Sequence, residues 1–288
     1  MEQGYYKISM EEYLNDPCDA PSLSRSTIID LLDSPRRAYY NHPRLNPTKQ
    51  IKDETKYDTG TASHDMLLEG GKNVVIVDGF DDWRKGAAQE ARKEAIANGK
   101  TALLRKEYDV VAEKVDAAVR QIRECTELCI NDLGLDGEAE LTYIWKEKDV
   151  WLRIRPDWIS HDKRLMLDLK NTATSANPLV YSNHIVKMGY PVQSALYRRG
   201  VRAVHSTDPN FVFMAQENTP PYLCSFHSLD LMLADMADQQ VEAGIKIWRK
   251  CLKTGQWPGY TNRICYAEGK PWNFAEWEIN KHQMEEFA

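Results

Sequence analysis

The sequence predicts an α/β fold in which a central mixed β-sheet is flanked by helices, and three observations predict it. Strand-like runs from Ala139 to Lys146, Val150 to Ile159 and Arg164 to Asn171 follow one another across short charged turns, Glu147-Lys148-Asp149 and His161-Asp162-Lys163. Helical spacing precedes and follows them, most clearly in a long amphipathic stretch from Leu229 to about Leu252. A hairpin, Phe211 to Gln216 and Tyr222 to His227, turns around Thr219-Pro220-Pro221. No repeat, low-complexity tract or linker breaks the chain, so residues 1–288 read as a single domain with a helical N-terminal segment and C-terminal helices.

In chain order, Ser22-Leu23-Ser24-Arg25-Ser26 opens the first helix, a serine capping the apolar spacing of Ile28, Ile29, Leu31 and Leu32. Pro35 marks its break, and Arg36 to Lys56, polar with Pro43 and Pro47, reads as a loop. Tyr57 to Glu69 turns helical in its second half and sets Gly60 one turn before His64. A short strand follows at Asn73 to Val77, and Trp83 to Cys129 reads as two helical stretches interrupted near Asn98-Gly99. After the three strands, helices start near Asn177-Pro178 and at Pro191, each with proline suited to a first turn. Gln193 and Tyr197, four apart, share a face of the second.

Composition narrows the function. At 42% hydrophobic and 10% aromatic residues, the chain has ample material for a core. A net charge of -6 argues against a protein that coats nucleic acid indiscriminately. Arg36, Arg37, Arg44, Lys49 and Lys52, with Arg198, Arg199 and Arg202, can still confine positive surface to a channel, or be solvated surface charge. The six cysteines include no Cys-x-x-Cys pair; Cys125 and Cys129 lie a helical turn apart, but two ligands do not make a four-ligand site. No run approaches the roughly 18 apolar residues of a membrane span, and Met1 to Tyr6 lacks the pattern of a signal peptide, so the expectation is a cytoplasmic protein without membrane contact.

The chemistry concentrates in Ile154-Arg155-Pro156-Asp157-Trp158 and Leu165-Met166-Leu167-Asp168-Leu169-Lys170. With a period of two, Leu165, Leu167 and Leu169 share one face while Asp168 and Lys170 project side by side from the other. Asp157 arrives from the preceding strand. Two acids converging beside a lysine can hold a hard dication through oxygen ligands and leave a cationic group to manage an attacking water, the layout of metal-assisted phosphodiester hydrolysis. An Asp-x-Lys triplet alone also occurs as a surface ion pair.

With Pro156-Asp157 and Asp168-Leu169-Lys170, the chain resembles the PD-(D/E)xK nuclease superfamily, its RecB-like branch and, within it, the RecE-type exonucleases. Gly60-Thr61-Ala62-Ser63-His64 is similar to the family's Gly-x-x-x-His segment and Gln193-Ser194-Ala195-Leu196-Tyr197 to its Gln-x-x-x-Tyr helix. Leu23-Ser24-Arg25-Ser26 through Tyr40 resembles the N-terminal helix, and Trp257-Pro258-Gly259-Tyr260 adds weak support. The resemblance implies a restriction-endonuclease-like core, with Asp157 and Asp168 binding Mg²⁺ (Mn²⁺ able to substitute) and the Leu169 carbonyl and His64 as further ligands. Lys170 would orient or deprotonate the water. Glu140 is an extra carboxylate for the metal, with Glu138 its competitor because the strand register is open. Gln193 and Tyr197 would position the phosphate or neighbouring side chains, and Ser24, Arg25 and Ser26 would hold a terminal phosphate. His64 also reads as a histidine inside a helix packing face, and Ser24 as a plain helix cap.

The expected activity is therefore a Mg²⁺-dependent exonuclease on the ends of linear double-stranded DNA, running 5′ to 3′ and leaving a 3′ single strand. The resemblance further implies a homo-oligomeric ring and a single-strand annealing recombinase as partner. An endonuclease on the same fold, or an inactive DNA-binding or assembly protein, are the alternatives.

Overall fold

The computed structural model describes residues 1–48 and 58–287. Residues 49–57, which carry Lys49, Lys52 and the end of the expected Arg36 to Lys56 loop, lie outside the described residues. The chain divides into a body, Met1–Pro258, and a small unit, Gly259–Ala288. The small unit contains one helix, Pro271–Glu285, with proline in its first turn and no buried residue.

The body opens with strand β1 (Gly4–Tyr6) and the short helix α1 (Met10–Leu14), which Ser9 and Glu12 close in a capping box. Strand β2 (Ser22–Leu23) leads into helix α2 (Arg25–Asp33), where Ser24 is the N-cap, its hydroxyl accepting from the Thr27 N–H. Pro35 begins a helix rather than ending order: α3 spans Pro35–Asn41. The expected loop thus starts later. Proline has no N–H to lose at the first helical turn, and Ser34, at ψ 124°, takes the extended conformation that a residue before proline prefers.

Helix α4 (Asp58–Glu69) carries His64 and precedes strand β3 (Val74–Val77). Between helices α5 (Gly86–Ala97) and α6 (Arg105–Glu124) the structure has a strand, β4 (Thr101–Leu104), where only an interruption of helix was expected. β4 pairs in parallel with β3 and buries Ala102, Leu103 and Leu104; four apolar-rich residues without room for a period carry too little pattern to separate strand from helix. Helix α6 ends at Glu124 and Cys129 has φ 54°, so Cys125 and Cys129 do not sit a turn apart on one helix, and both thiols are free.

A short helix α7 (Leu133–Asp136) introduces five strands: β5 (Gly137–Ala139), β6 (Thr142–Glu147), β7 (Val150–Ile154), β8 (Trp158–Ser160) and β9 (Leu165–Thr172). The expected first run breaks at Glu140, which has φ 59°, and the second at Pro156, which brings no N–H to a ladder. Each break moves the chain from one sheet to another. β6 and β7 join a four-stranded sheet of order β1-β6-β7-β2, while β5, β8 and β9 join a mixed five-stranded sheet completed by strands β10 (Asn210–Glu217) and β11 (Cys224–His227), in the order β11-β10-β9-β8-β5.

Helices α8 (Pro178–Lys187) and α9 (Tyr190–His205) connect β9 to its parallel neighbour β10, and α10 (Leu231–Thr254) closes the body. The mixed sheet packs on both faces. Met166, Phe211 and Phe213 join the cluster that contains Ile28, Val192, Leu196, Val241 and Trp248. Leu167, Val212 and Met214, one residue out of phase, join Ala62, Leu67, Val111 and Ile122. Helix α9 lies close on β6 and β7 because it presents Gly200: a Cβ there would stand 2.7 Å from Ile154 Cδ1 and 2.8 Å from Trp145 Cζ3. No described helix is long and apolar enough to cross a membrane.

Candidate active site

In the mixed sheet the pairing of β8 with both of its neighbours, β5 and β9, ends at one level. β8 pairs antiparallel with β9 through Trp158 and Leu167, so the next step of the register sets Asp157 opposite Asp168. β5 pairs antiparallel with β8 through Ala139 and Trp158, and the Glu140 N–H donates to the Asp157 carbonyl at 3.1 Å. Glu140, Asp157 and Asp168 therefore stand in a rank across β5, β8 and β9. The left-handed backbone at Glu140, rare for a residue with a Cβ, occurs where the chain leaves this sheet, a kind of strain that functional sites concentrate.

His64 reaches the rank from α4. Its Nδ1 lies 3.4 Å from Glu140 Oε1 and its Nε2 lies 3.2 Å from Asp157 Oδ2. Among the described residues, His64, Glu140 and Asp157 form a group in which one ligand atom from each lies within 4.8 Å of the others. Asp157 Oδ2 also accepts from the Leu169 N–H at 2.7 Å, tying the end of β8 to β9. Asp168 is buried at 1% exposure; its Oδ1 pairs with the Lys170 ammonium and its Oδ2 accepts from the Gln193 amide. Asp168 is not one of the three-residue group; it stands next to it, opposite Asp157.

The charges shift one another strongly. Burial opposes the imidazolium of His64, but Asp157, Glu140 and Asp168 outweigh it and raise the ring to about 9. Burial and the charge of Asp157 push Asp168 up to about 7, against the pull of Lys170 and His64. Burial works against ionised Asp157 too, yet His64, Lys170 and the Leu169 N–H hold it below its usual range. Burial and Asp157 raise Glu140, partly offset by His64 and Arg155. Burial would lower Lys170, but Asp168 and Asp157 keep it above its usual value, so it is an ammonium without a metal present.

The expected site residues divide as follows. His64, Glu140, Asp157, Asp168, Lys170 and Gln193 meet, and the Leu169 backbone is part of the same junction. The competitor Glu138 faces away and pairs with Lys163 at 2.6 Å. Tyr197 is buried a turn beyond Gln193, its ring 5.7 Å from that of Phe211; burial and then Tyr13 and Asp168 raise its hydroxyl well above the usual value. Ser24 caps α2, with its hydroxyl 3.0 Å from those of Ser26 and Thr27. Arg25 donates from Nη2 to the Met188 carbonyl at 2.6 Å, and its buried Nε has no hydrogen-bond partner. In the second basic cluster, Arg198 and Arg202 pair with Asp208, and Arg199 with Glu147 and Asp238.

Two residues at the site were missed. Arg155 pairs with Glu140 Oε2 and anchors its Nη1 on the Ile8 carbonyl at 2.7 Å and the Thr142 hydroxyl at 3.2 Å, so the other Glu140 oxygen is left toward His64. Its sequence position, two before Asp157, carried no orientation because the strand breaks between them. Tyr190 sits under Lys170, with its centroid 5.0 Å from Nζ. It lies three residues before Gln193 on the same helix, a spacing that could have found it.

The donor set suits a metal. One imidazole and adjacent carboxylates, with negative charge in excess and a carboxyl that keeps its proton to about 7, form a nest for a hard dication such as Mg²⁺ or Mn²⁺. His64, Glu140, Asp157 and Asp168 would hold it.

A sequence profile of the PDDEXK-like domain of unknown function (DUF3799) matches residues 24–270. No curated protein matches the chain. Among solved structures, one from Eubacterium rectale that bears the name "Putative exonuclease" superimposes with a TM-score of 0.56 at 12% identity, covering 93% of this chain and 98% of its own. Another, named SSO0001, reaches a TM-score of 0.26 at 11% identity over 89% of this chain and 100% of its own, too low to argue from. The profile covers most of the chain, and the Asp157, Asp168 and Lys170 junction sits at the heart of the matched region; the chain belongs to the PDDEXK-like domain family.

Proposed function

We propose that the chain is a Mg²⁺-dependent deoxyribonuclease that hydrolyses phosphodiester bonds from the ends of linear double-stranded DNA, with Mn²⁺ able to replace Mg²⁺. The convergence of His64, Glu140 and Asp157 within 4.8 Å, beside the Asp168 and Lys170 pair, carries this reading. The family match and the name of the Eubacterium rectale structure support it. A bound dication supplies charge for the phosphoryl oxygens and a water of lowered pKa.

The side chains supply the rest. Arg155 and the Leu169 N–H fix the carboxylates of Glu140 and Asp157, and Gln193 fixes Asp168, so the acids need little reorganisation. Lys170 holds its proton while Asp168 and Asp157 are unneutralised; once their charge is met, its burial favours the amine, which can orient or deprotonate the attacking water. Water gives a proton to the Lys170 amine as its oxygen bonds to phosphorus, the bond to the 3′ oxygen breaks, and that oxygen takes a proton from solvent. Arg25, a guanidinium with an unsatisfied buried donor, suits a backbone phosphate.

The finer assignment rests on the RecE-like motifs: 5′ to 3′ resection leaving a 3′ strand, a homo-oligomeric ring and hand-over to an annealing recombinase. End-labelled linear duplex and covalently closed plasmid, offered together with Mg²⁺, test the reading. Progressive shortening of the linear DNA with the circle intact is expected. Cutting of the circle makes the protein an endonuclease, and no hydrolysis of either, by protein that binds Mg²⁺ or Mn²⁺, refutes the function.

A further inference from the structure

Tyr190 joins two cations that the sequence keeps far apart. The Lys170 ammonium lies 5.0 Å from its ring centroid and the Arg25 guanidinium carbon 5.5 Å. The ring is itself held, stacked on Phe213 at 5.7 Å and 24° and placed at the start of α9, three residues before Gln193. Arg25 is tethered on the same segment by its bond to the Met188 carbonyl. Among the described residues no carboxylate pairs with Arg25, and its buried Nε has no partner, so its charge is compensated by the ring face rather than by an acid.

We infer that Tyr190 is a positioning residue whose ring holds Lys170 and Arg25 at a set separation, so that one phosphodiester meets both cations at once. The inference rests on the proposed phosphodiester hydrolysis. Cations that share one ring repel; Lys170 is held by Asp168, but Arg25, with no carboxylate partner among the described residues, would otherwise swing toward solvent. The negative face of an aromatic ring attracts both without neutralising either. Lys170 then keeps its angle to Asp168 and the water, while the Arg25 donors stay available for phosphate oxygens. A ring that merely fills space would do neither.

Fluorination separates these two roles, because it drains the ring face of negative charge with little change in shape. The experiment replaces Tyr190 by Phe and then by mono-, di- and trifluorinated phenylalanine in the full chain. Each variant is assayed on end-labelled linear duplex with Mg²⁺, and the Lys170 ammonium is followed by nitrogen-proton NMR in the absence of DNA. Tyr190→Phe should stay within roughly 3-fold of the parent in kcat, and the series should then fall stepwise by at least roughly 5-fold in total, as expected for loss of two part-buried cation–π contacts. The Lys170 signal should move in step. A flat kcat series in an active protein overturns the inference while leaving the proposed function standing. If the parent does not cleave DNA, the proposed function falls, and the NMR series alone decides: a Lys170 signal indifferent to fluorination overturns the inference. Should the trifluorinated protein fail to fold, the mono- and difluorinated members carry the same comparison.

Discussion

Metal binding should expel protons, and the structure sets how many. In the metal-free site His64 is raised to about 9 by the surrounding acids, and Asp168 to about 7 by burial and by the charge of Asp157. A dication takes a neutral imidazole nitrogen and an ionised carboxylate, so each group protonated beforehand must release its proton. Near neutral pH His64 is almost wholly protonated and Asp168 partly so, giving between about one and two protons released per dication. Both groups have raised values, so affinity strengthens as pH rises and levels off above about 9. Between about pH 6 and pH 8 the gain should be ~100-fold from His64 and a further ~10-fold from Asp168. Calorimetric titration of Mn²⁺ into the protein, in two buffers of different ionisation enthalpy, measures the proton count. His64→Ala should reduce it by about one and flatten most of the slope. A proton count near zero with affinity independent of pH refutes the reasoning.

Asp168→Asn should lower hydrolysis by at least ~10³-fold while thermal unfolding stays near the parent's, since an amide of the same shape still fills the site and removes a buried acid that repels Asp157; the pair of measurements is initial rate and Tm. Arg155→Ala leaves the buried Glu140 with His64 as its one cationic partner among the described residues, and should cost about 1–3 kcal/mol in chemical denaturation and weaken Mn²⁺ binding by ~10- to 100-fold. Gly200→Ala forces a methyl into Ile154 and Trp145 and should destabilise by about 1–3 kcal/mol without touching the acids. Asp16, fully buried, is lowered to about 2: burial opposes the charge, but His42, Arg153 and Ser22 outweigh it. Its contribution is complete above about pH 4 and is lost as pH falls toward 2, on the order of 2 kcal/mol, so Asp16→Asn should flatten the acid limb of stability against pH.

Much of this arrangement can be reasoned from residue order. The alternation of Leu165 to Lys170 separates a core face from a polar one, and the turn His161-Asp162-Lys163 is short enough to return Asp157 to the level of Asp168. The serine start of α2, the proline starts of α8 and α9 and the long amphipathic α10 are likewise local, set by caps and apolar period. What local pattern could not supply was the division of the strands between two sheets. Glu140 and Pro156 are where the chain changes sheet, and a residue with a Cβ in the left-handed region leaves no trace in periodicity. For that reason the choice between Glu138 and Glu140 stayed open until tertiary contacts with His64 and Arg155 were known. β4 was hidden because its partner is β3, whose pairing is a non-local fact. Pro35 shows the reverse ambiguity: the same residue stops one helix and starts another, and only the extended Ser34 between them distinguishes the cases.

The most direct measurement is anomalous diffraction from crystals soaked in Mn²⁺. A single strong peak bounded by His64, Glu140, Asp157 and Asp168, with the Lys170 ammonium turned off the Asp168 carboxylate, is the predicted result. Crystals that take up Mn²⁺ elsewhere, or not at all while His64 keeps its contacts to Glu140 and Asp157, would contradict the account.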